Sequence, residues 1–309
     1  PKMDLEWEHR VRSQVFAWLA ELSKAHPDAL PAKKLQQGID VDGHRIGVMS
    51  SGLGIHKPRS LDAPISVMTT APPAGQPPPY LDRWIDESRL SYAYQGEDPD
   101  LWTNRALRRA WEHRLPLVYL YGVSSGRYLA EFPVYVSGDH PGELRVDLVI
   151  AAAPGEPGDT APRGVPAEID GRSYAVRSAK TRLHQHGFRT RVLTAYDQRC
   201  SMCSLRHSPL LDAAHIVPDD QPDGLAITPN GLSLCKIHHA AYDARFLGVR
   251  PDLVVEVNED LLDEVDGPML QHGIQALHRQ PLRVVPKKRV DRPNRDRLEW
   301  RYQQFLEGR

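Results

Sequence analysis

The three cysteines of this 309-residue chain all lie in one short stretch, and their spacing constrains the fold more than any other feature. Two residues separate Cys200 from Cys203, and two residues also separate Cys235 from His238. Two such pairs can wrap one tetrahedral ion, and a structural zinc needs four protein ligands with no open position. The alternative is three buried thiols and a surface histidine. We expect a closed Cys3His site with structural Zn2+ as its cofactor.

A second set of polar residues is interleaved with the first. His215 is followed after fourteen residues by Asn230, after eight more by His239, and after three more by Asp243. This order and spacing resemble the HNH, or ββα-metal, nucleases, and the four zinc ligands resemble those of the zinc-containing branch of that family. The resemblance covers roughly residues 180–309.

The resemblance implies both a local fold and a set of roles. In the family, a two-stranded hairpin carries the first histidine and the asparagine, and a helix across the hairpin carries the last histidine. By position, His215 would be the general base that takes a proton from the attacking water. Asn230 would brace the loop that holds this base, and His239 would bind the catalytic divalent ion.

The chemistry of phosphodiester hydrolysis agrees with these roles. It requires a nucleophile made from water near neutral pH, which suits an imidazole, and a cation beside the phosphate. His239 and Asp243 are four residues apart, so on a helix they share one face and can share an ion. His238 is turned about 100° away, which leaves it to the zinc. Mg2+, Mn2+, Co2+ or Ni2+ would each suit a histidine and carboxylate site.

One position departs from the family pattern. Many members carry Asp or His directly before the general base as a further metal ligand, and this chain has Ala214 there. Asp212, two residues earlier, would lie on the same strand face as Ala214 and is our candidate substitute. The alternative is that Asp212 is a solvated turn residue. His207 and His272 lack such spacing and are expected at the surface.

The composition is that of an ordinary globular protein, with 40% hydrophobic residues and a formal net charge of -1. The length allows two domains. No run reaches the eighteen apolar residues of a membrane span and no secretory signal leads the chain, so we expect a cytoplasmic protein without membrane partners. The segment from Arg279 to Arg301 is locally basic, which beside a nuclease motif favours contact with DNA.

Hydrophobic periodicity divides the chain into two parts of an α+β protein. Residues 4–25 have the period of an amphipathic helix, and strand-like segments separated by turns then continue to about residue 150. Together they predict an N-terminal domain at 1–150, built on a curved antiparallel sheet or barrel with flanking helices. Residues 151–177 are rich in Pro, Gly and Ala and predict a linker. A basic helix at 178–197 would open a C-terminal domain at 178–309.

The N-terminal part carries a second resemblance. Its motifs are Tyr92 to Asp98, Asn104 to Leu107, Tyr128, and Phe132 to Val136. They resemble the SRA (SET and RING associated) domain, a PUA-like barrel that flips a modified cytosine out of DNA. Together with Gly54 to Pro58, Pro79 to Asp82 and the HNH motif, they also resemble bacterial modification-dependent restriction endonucleases of the McrA-like type. The likeness covers about residues 35–150.

A pocket for a flipped base needs aromatic faces for stacking and a carboxylate or amide to read the base edge. By position in the SRA-like family, Tyr80, Asp82 and Tyr94 would form this modified-base pocket, with Asp86 as the rival to Asp82. The tyrosines could instead belong to the core, and either carboxylate could cap a turn.

The sequence therefore predicts a modification-dependent DNA endonuclease, acting on double-stranded DNA that carries 5-methylcytosine or a relative. Two alternatives stay open: an HNH nuclease that reads unmodified sequence, and a DNA-binding reader with an inert zinc module. One HNH site cuts one strand, so double-strand cleavage implies a homodimer or two successive nicks.

Overall fold

The computed structural model describes residues 3–71, 90–150, 183–265 and 267–308. The chain divides into an N-terminal unit that ends at His184 and a C-terminal unit that continues from Gln185. The Pro-rich stretch before Tyr80 and the predicted linker at 151–177 fall outside the described ranges. Within those ranges, no helix has the length and apolar character to cross a membrane.

Three helices belong to the N-terminal unit: α1 (Leu5–Ala25), α2 (Ala32–Gln37) and α3 (Trp102–Glu112). The first matches the helix expected at 4–25. It begins after Asp4, whose carboxylate accepts a hydrogen bond from the backbone N–H of Trp7 and so satisfies one free donor of the first turn.

The charged side of α1 differs from expectation, because part of it is buried. Glu8 and Arg12 are each 1% exposed and form an ion pair within the unit. The guanidinium of Arg12 also donates to the carbonyls of Pro64 and Pro116. Glu8 accepts from the backbone N–H of Asp62. Buried charges need such partners, and these bonds hold α1 against the segments that lead into two strands.

The described part of the N-terminal unit contains nine strands. They are β1 (Leu30–Pro31), β2 (Ile39–Val41), β3 (His44–Ile46), β4 (Ile55–His56), β5 (Ser66–Thr69), β6 (Leu90–Ala93), β7 (Leu117–Ser124), β8 (Arg127–His140) and β9 (Arg145–Ile150). β2 and β3 form a separate hairpin, and the other seven form one sheet.

The seven-stranded sheet has the order β4-β5-β7-β8-β9-β6, with β1 paired to β8. It curls into a half-barrel, and its described strands do not close, because β4 and β6 lie at opposite edges. The expectation of a purely antiparallel sheet was wrong at one place, since β5 and β7 are parallel. The chain between them includes α3, and such a crossover returns the second strand in the direction of the first.

Five helices and four strands make up the described part of the C-terminal unit. They are α4 at residues 183–195, β10 (Leu211–His215), β11 (Gly231–Cys235), α5 (Lys236–Asp243), β12 (Leu247–Val249), β13 (Val255–Val257), α6 (Glu259–Asp263), α7 (Pro268–Gly273) and α8 (Arg295–Glu307). β10 pairs with β11 and β12 with β13, both antiparallel.

α8 closes the C-terminal unit and begins directly after Asn294. The side chain of Asn294 caps its first turn by accepting from the N–H of Arg297. The backbone N–H of Asn294 donates to the carbonyl of Pro229 at 2.9 Å. This bond ties the start of α8 to the turn that leads into β11.

Candidate functional site

The β10–β11 hairpin and α5 bring the polar residues of the second motif into one compact unit. His215 is the last residue of β10 and lies opposite Gly231, the first residue of β11. Asn230 ends a short 3-10 turn directly before β11. His239 lies in the middle of α5, and Asp243 is its last residue. These are the hairpin and helix that the resemblance implies.

The imidazole of His215 lies in an apolar environment. Its ring stacks on that of Phe188 from α4, with centroids 4.0 Å apart and planes at 17°. Within the described ranges, its buried Nε2 has no hydrogen-bond partner. Burial lowers the pKa of His215, and the nearby Asp219 and Asp243 offset only part of this effect. The ring is therefore held neutral near pH 7, the form that can accept a proton.

Asn230 braces the loop that follows His215. Its side-chain oxygen accepts from the N–H of Val217 at 2.9 Å, and its amide nitrogen donates to the carbonyls of Val217 at 2.9 Å and Leu225 at 3.0 Å. Its backbone carbonyl accepts from Ile216 at 2.9 Å. Asn230 is fully buried. Four hydrogen bonds from one residue thus clamp both ends of the loop.

His239 lies between two carboxylates, one at each ring nitrogen. Its Nε2 is 3.1 Å from Asp243 Oδ2, and its Nδ1 is 3.4 Å from Asp212 Oδ2. The hydrogen bond with Asp243, followed by the charges of both carboxylates, raises the pKa of His239 against the effect of burial. Because the two nitrogens of one imidazole point in different directions, Asp212 and Asp243 cannot both share an ion with His239 in this arrangement.

The two carboxylates differ in their other contacts. Asp212 is 23% exposed, and Lys236 Nζ is 2.7 Å from its carboxylate oxygens. Asp243 is 59% exposed, and its closest cation besides His239 is Arg301 at 3.9 Å. Asp243 is therefore the more open of the two carboxylates, and it lies at Nε2 of His239.

The four predicted zinc ligands come together. The Sγ atoms of Cys200, Cys203 and Cys235 and a ring nitrogen of His238 all lie within 4.8 Å of one another. His238 Nδ1 is 3.3 Å from the Sγ atoms of Cys200 and Cys235. Nε2 of the same ring is 2.7 Å from the carbonyl of Gly273.

This grouping fits a tetrahedral zinc ion. Bonds of about 2.3 Å to sulfur place two ligand sulfurs about 3.8 Å apart, within the spread of these atoms. The carbonyl of Gly273 accepts a hydrogen bond from Nε2–H of His238, which leaves the lone pair of Nδ1 free to face the sulfurs. The Cys3His cluster is thus compatible with zinc.

The predicted basic surface is present only in part. Seven of its cationic residues are exposed: Arg279, Arg283, Lys287, Lys288, Arg289, Arg292 and Arg295. Arg301 is instead 9% exposed, with its guanidinium 4.8 Å from the centre of the Tyr242 ring and a hydrogen bond to the Tyr242 carbonyl. It holds the end of α5 rather than facing DNA.

The predicted base pocket is only partly within the described residues. Tyr80, Asp82 and the rival Asp86 lie outside them. Tyr94 is 6% exposed in the core of the N-terminal unit, and its hydroxyl donates to the carboxylate of Asp139.

Three residues of the site could not be predicted from the motif. Phe188 stacks on His215, Lys236 pairs with Asp212, and Arg301 packs on Tyr242. Phe188 and Arg301 belong to helices far from the motif in the chain. Lys236 could have been suspected once the hairpin was predicted, because it directly follows β11. In the β10–β11 register Asp212 lies opposite Leu234, and Leu234 is only two residues before Lys236.

Comparison with known proteins bears on the same segment. Residues 197–250 match a family described as HNH endonuclease, and no curated protein matches the chain. One solved structure, titled "Modification dependent TagI restriction endonuclease", is 19% identical with a TM-score of 0.30, covering 78% of this chain and 81% of that chain. Another, titled "Structure of the Type IV phosphorothioation-dependent restriction endonuclease ScoMcrA", is 15% identical with a TM-score of 0.20, covering 57% and 46%.

The family match spans all four predicted zinc ligands and all four residues of the second motif. It favours a nuclease over an inert zinc module, because a purely structural scaffold needs the zinc ligands alone. Residues 197–250 are an HNH endonuclease domain, and the protein is a metal-dependent nuclease.

Proposed function

We propose that the protein is a modification-dependent DNA endonuclease with a one-metal HNH site. In the C-terminal unit, His215 takes a proton from the water that attacks the phosphodiester. Asn230 keeps the loop after His215 in place. A divalent cation held by His239 and Asp243 would offset negative charge at the phosphate and leaving oxygen.

The observation that carries the hydrolytic assignment is the difference in surroundings between two histidines. His215 stacks on Phe188 and has a buried Nε2 without a partner among the described residues, whereas His239 lies between the carboxylates of Asp243 and Asp212. A general base must be able to accept a proton, and a cation site must attract positive charge. His215 therefore suits proton removal from the attacking water, and His239 suits a site for the cation.

We further propose that the N-terminal unit recognises modified cytosine, 5-methylcytosine above all, by base flipping. The support is the SRA-like sequence motifs, which in the described residues lie on or directly after β6 and on α3 and β8. Tyr80 and Asp82 would supply a stacking face and a partner for the base edge. Such an enzyme would restrict foreign DNA in the bacterial cytoplasm, as a homodimer or by two successive nicks.

The second candidate is an HNH nuclease that reads unmodified sequence, which needs no stacking face at Tyr94. Tyr94 is 6% exposed, and its hydroxyl is bonded to Asp139. An aromatic ring in this position contributes to the core of the unit, so the stacking in a base pocket would have to come from other residues.

The test is cleavage of matched plasmids that carry cytosine, 5-methylcytosine or 5-hydroxymethylcytosine, each with Mg2+, Mn2+, Co2+ or Ni2+. We expect cleavage of modified DNA only. His215→Ala should lower the rate by about 10²- to 10⁴-fold, the usual contribution of a general base. His207→Ala, which removes an exposed histidine of the same unit, serves as the control. Equal cutting of all three plasmids would favour the second candidate.

A further inference from the structure

The stacked pair of Phe188 and His215 has no counterpart in the motif, yet it is the closest ring contact of the site. The centroids are 4.0 Å apart and the planes are nearly parallel at 17°. Phe188 is 2% exposed, so its ring is fixed by the core of the C-terminal unit. One face of the His215 imidazole is therefore covered by a rigid apolar surface.

The glycine across the hairpin makes this stack possible. Gly231 pairs with His215 in the β10–β11 register. A Cβ on Gly231 would lie 3.0 Å from Cζ of Phe188 and 2.4 Å from Cγ2 of Val192. The φ of Gly231 is -131°, which any residue can adopt. The glycine is thus required for space rather than for its backbone conformation, and the Phe188 ring fills that space.

A hydrogen bond does not explain the orientation of the His215 ring. In many catalytic histidines, the nitrogen away from the substrate bonds to a carboxylate or carbonyl that sets the ring angle. Here Nε2 is buried and has no partner within the residues that the structure describes. Packing must therefore set the ring angle, and Phe188 is the aromatic ring that contacts it.

We propose that Phe188 is a positioning residue for His215: its ring fixes the imidazole plane and keeps water from one face, so that the base stays neutral and aimed at the attacking water. This inference rests on the role proposed above for His215 as the general base.

The charged groups around His215 agree with this role. Asp219 in the following loop and Asp243 on α5 favour its protonated form, and His239 on α5 disfavours it. Burial is the largest influence and lowers the pKa below the ordinary 6.5 despite both carboxylates. Phe188 on α4 contributes to that burial without adding charge.

The burial of His215 determines the direction in which the cleavage rate should change with pH. The base must be neutral, so the cleavage rate rises with pH through the pKa of His215, and a lowered pKa keeps the enzyme active into mildly acidic solution. Phe188→Leu removes the flat face and admits water. The pKa should then move up toward the ordinary value, and the acid limb of the rate profile should move to higher pH.

The experiment measures single-turnover cleavage by the full chain from mildly acidic to neutral pH, at saturating DNA and metal. We expect Phe188→Leu to slow cleavage about tenfold, a part of the full contribution of a general base, with unchanged DNA affinity. Leu193→Val, a change at another fully buried position of α4, should leave rate and profile unchanged. Phe188→Met, which fills similar volume without a flat face, replaces the leucine variant if that variant does not fold.

A second readout needs no activity. Titration of isotope-labelled histidines by NMR in metal-free protein should show the His215 pKa rising in Phe188→Leu. Phe188→Leu should also cause no further loss of rate in a His215→Ala background, because its effect acts through that ring.

The possible failures are distinguishable. Wild-type turnover in His215→Ala would overturn the proposed role of the base itself. An inactive His215→Ala combined with a wild-type rate, profile and titration in Phe188→Leu would overturn only the role of Phe188. An equal loss of cleavage rate from Phe188→Leu in the wild-type and His215→Ala backgrounds would also overturn the role of Phe188. The phenylalanine would then act through another part of the protein.

Discussion

At the scale of single residues, the site depends on which nitrogen of the His239 imidazole faces each of two carboxylates. His239 presents Nε2 to Asp243 and Nδ1 to Asp212. Asp212 is already paired with Lys236, and Asp243 is more exposed. We therefore assign the ion to the Nε2 side. In this arrangement, Asp212 accepts a hydrogen bond from Nδ1–H and orients the ring, as carboxylates behind metal-binding histidines do.

This arrangement predicts different effects of substitution at the two carboxylates. Asp212→Ala should weaken Mn2+ binding by about 10- to 100-fold, the usual cost of removing a carboxylate behind a ligand histidine. Asp212→Asn should cost less, because its amide oxygen still accepts from Nδ1–H. Asp243→Asn should cost more than either, because it replaces a ligand. The measurement is Mn2+ titration by electron paramagnetic resonance without DNA. Equal losses in Asp212→Asn and Asp243→Asn would make Asp212 a ligand after all.

At the scale of elements, the Cys3His cluster joins the parts of a small ββα unit. Cys200 and Cys203 precede β10, Cys235 ends β11, and His238 lies in the first turns of α5. A metal bound by all four would connect the entry to the hairpin with the start of the helix. Such ions contribute folding free energy directly, because no preformed site exists in the unfolded chain.

We expect Cys203→Ser to release zinc and unfold the C-terminal unit, with loss of cleavage as a consequence. Zinc content by atomic absorption and the thermal transition of the full chain are the measurements. His272→Ala, which removes an exposed histidine of α7 outside the cluster, should keep both. One zinc per chain and an unchanged melting temperature in Cys203→Ser would contradict the assignment of the ligands.

At the scale of the whole molecule, the proposed reading and cutting activities belong to different units. Substitutions that abolish cutting should therefore leave recognition in place. Phosphate contacts supply much of the affinity of DNA-binding proteins and make it depend steeply on salt. A preference for modified DNA must consequently be compared at one ionic strength.

We expect full-length His239→Ala to bind DNA with 5-methylcytosine more tightly than unmodified DNA while cutting neither. Adding Asp82→Ala should reduce this preference by about 1 to 3 kcal/mol, the cost of leaving a buried polar group without its partner. Fluorescence anisotropy with matched duplexes measures both. Identical affinities of the His239→Ala protein for the two duplexes would exclude modified-base recognition and leave reading of unmodified sequence.

Features that depend on local spacing could be predicted from the sequence alone. The pairs Cys200–Cys203 and Cys235–His238 define a four-ligand site, because a metal ion constrains both the residue type and the separation of its ligands. The order of His215, Asn230 and His239 implies the hairpin and helix through its resemblance to the HNH nucleases. Helix α1 and the strands from β5 to β9 follow from hydrophobic periodicity, because the 3.6-residue and two-residue periods are properties of short segments.

Features that join distant parts of the chain become visible only in the folded structure. The parallel pairing of β5 with β7, the burial of Arg12, the stacking of Phe188 on His215 and the position of Arg301 behind α5 all belong to this class. So does the choice of ring nitrogen that His239 turns to each carboxylate. No period or motif encodes such contacts, because they arise when whole elements pack and their side chains fill the space that remains.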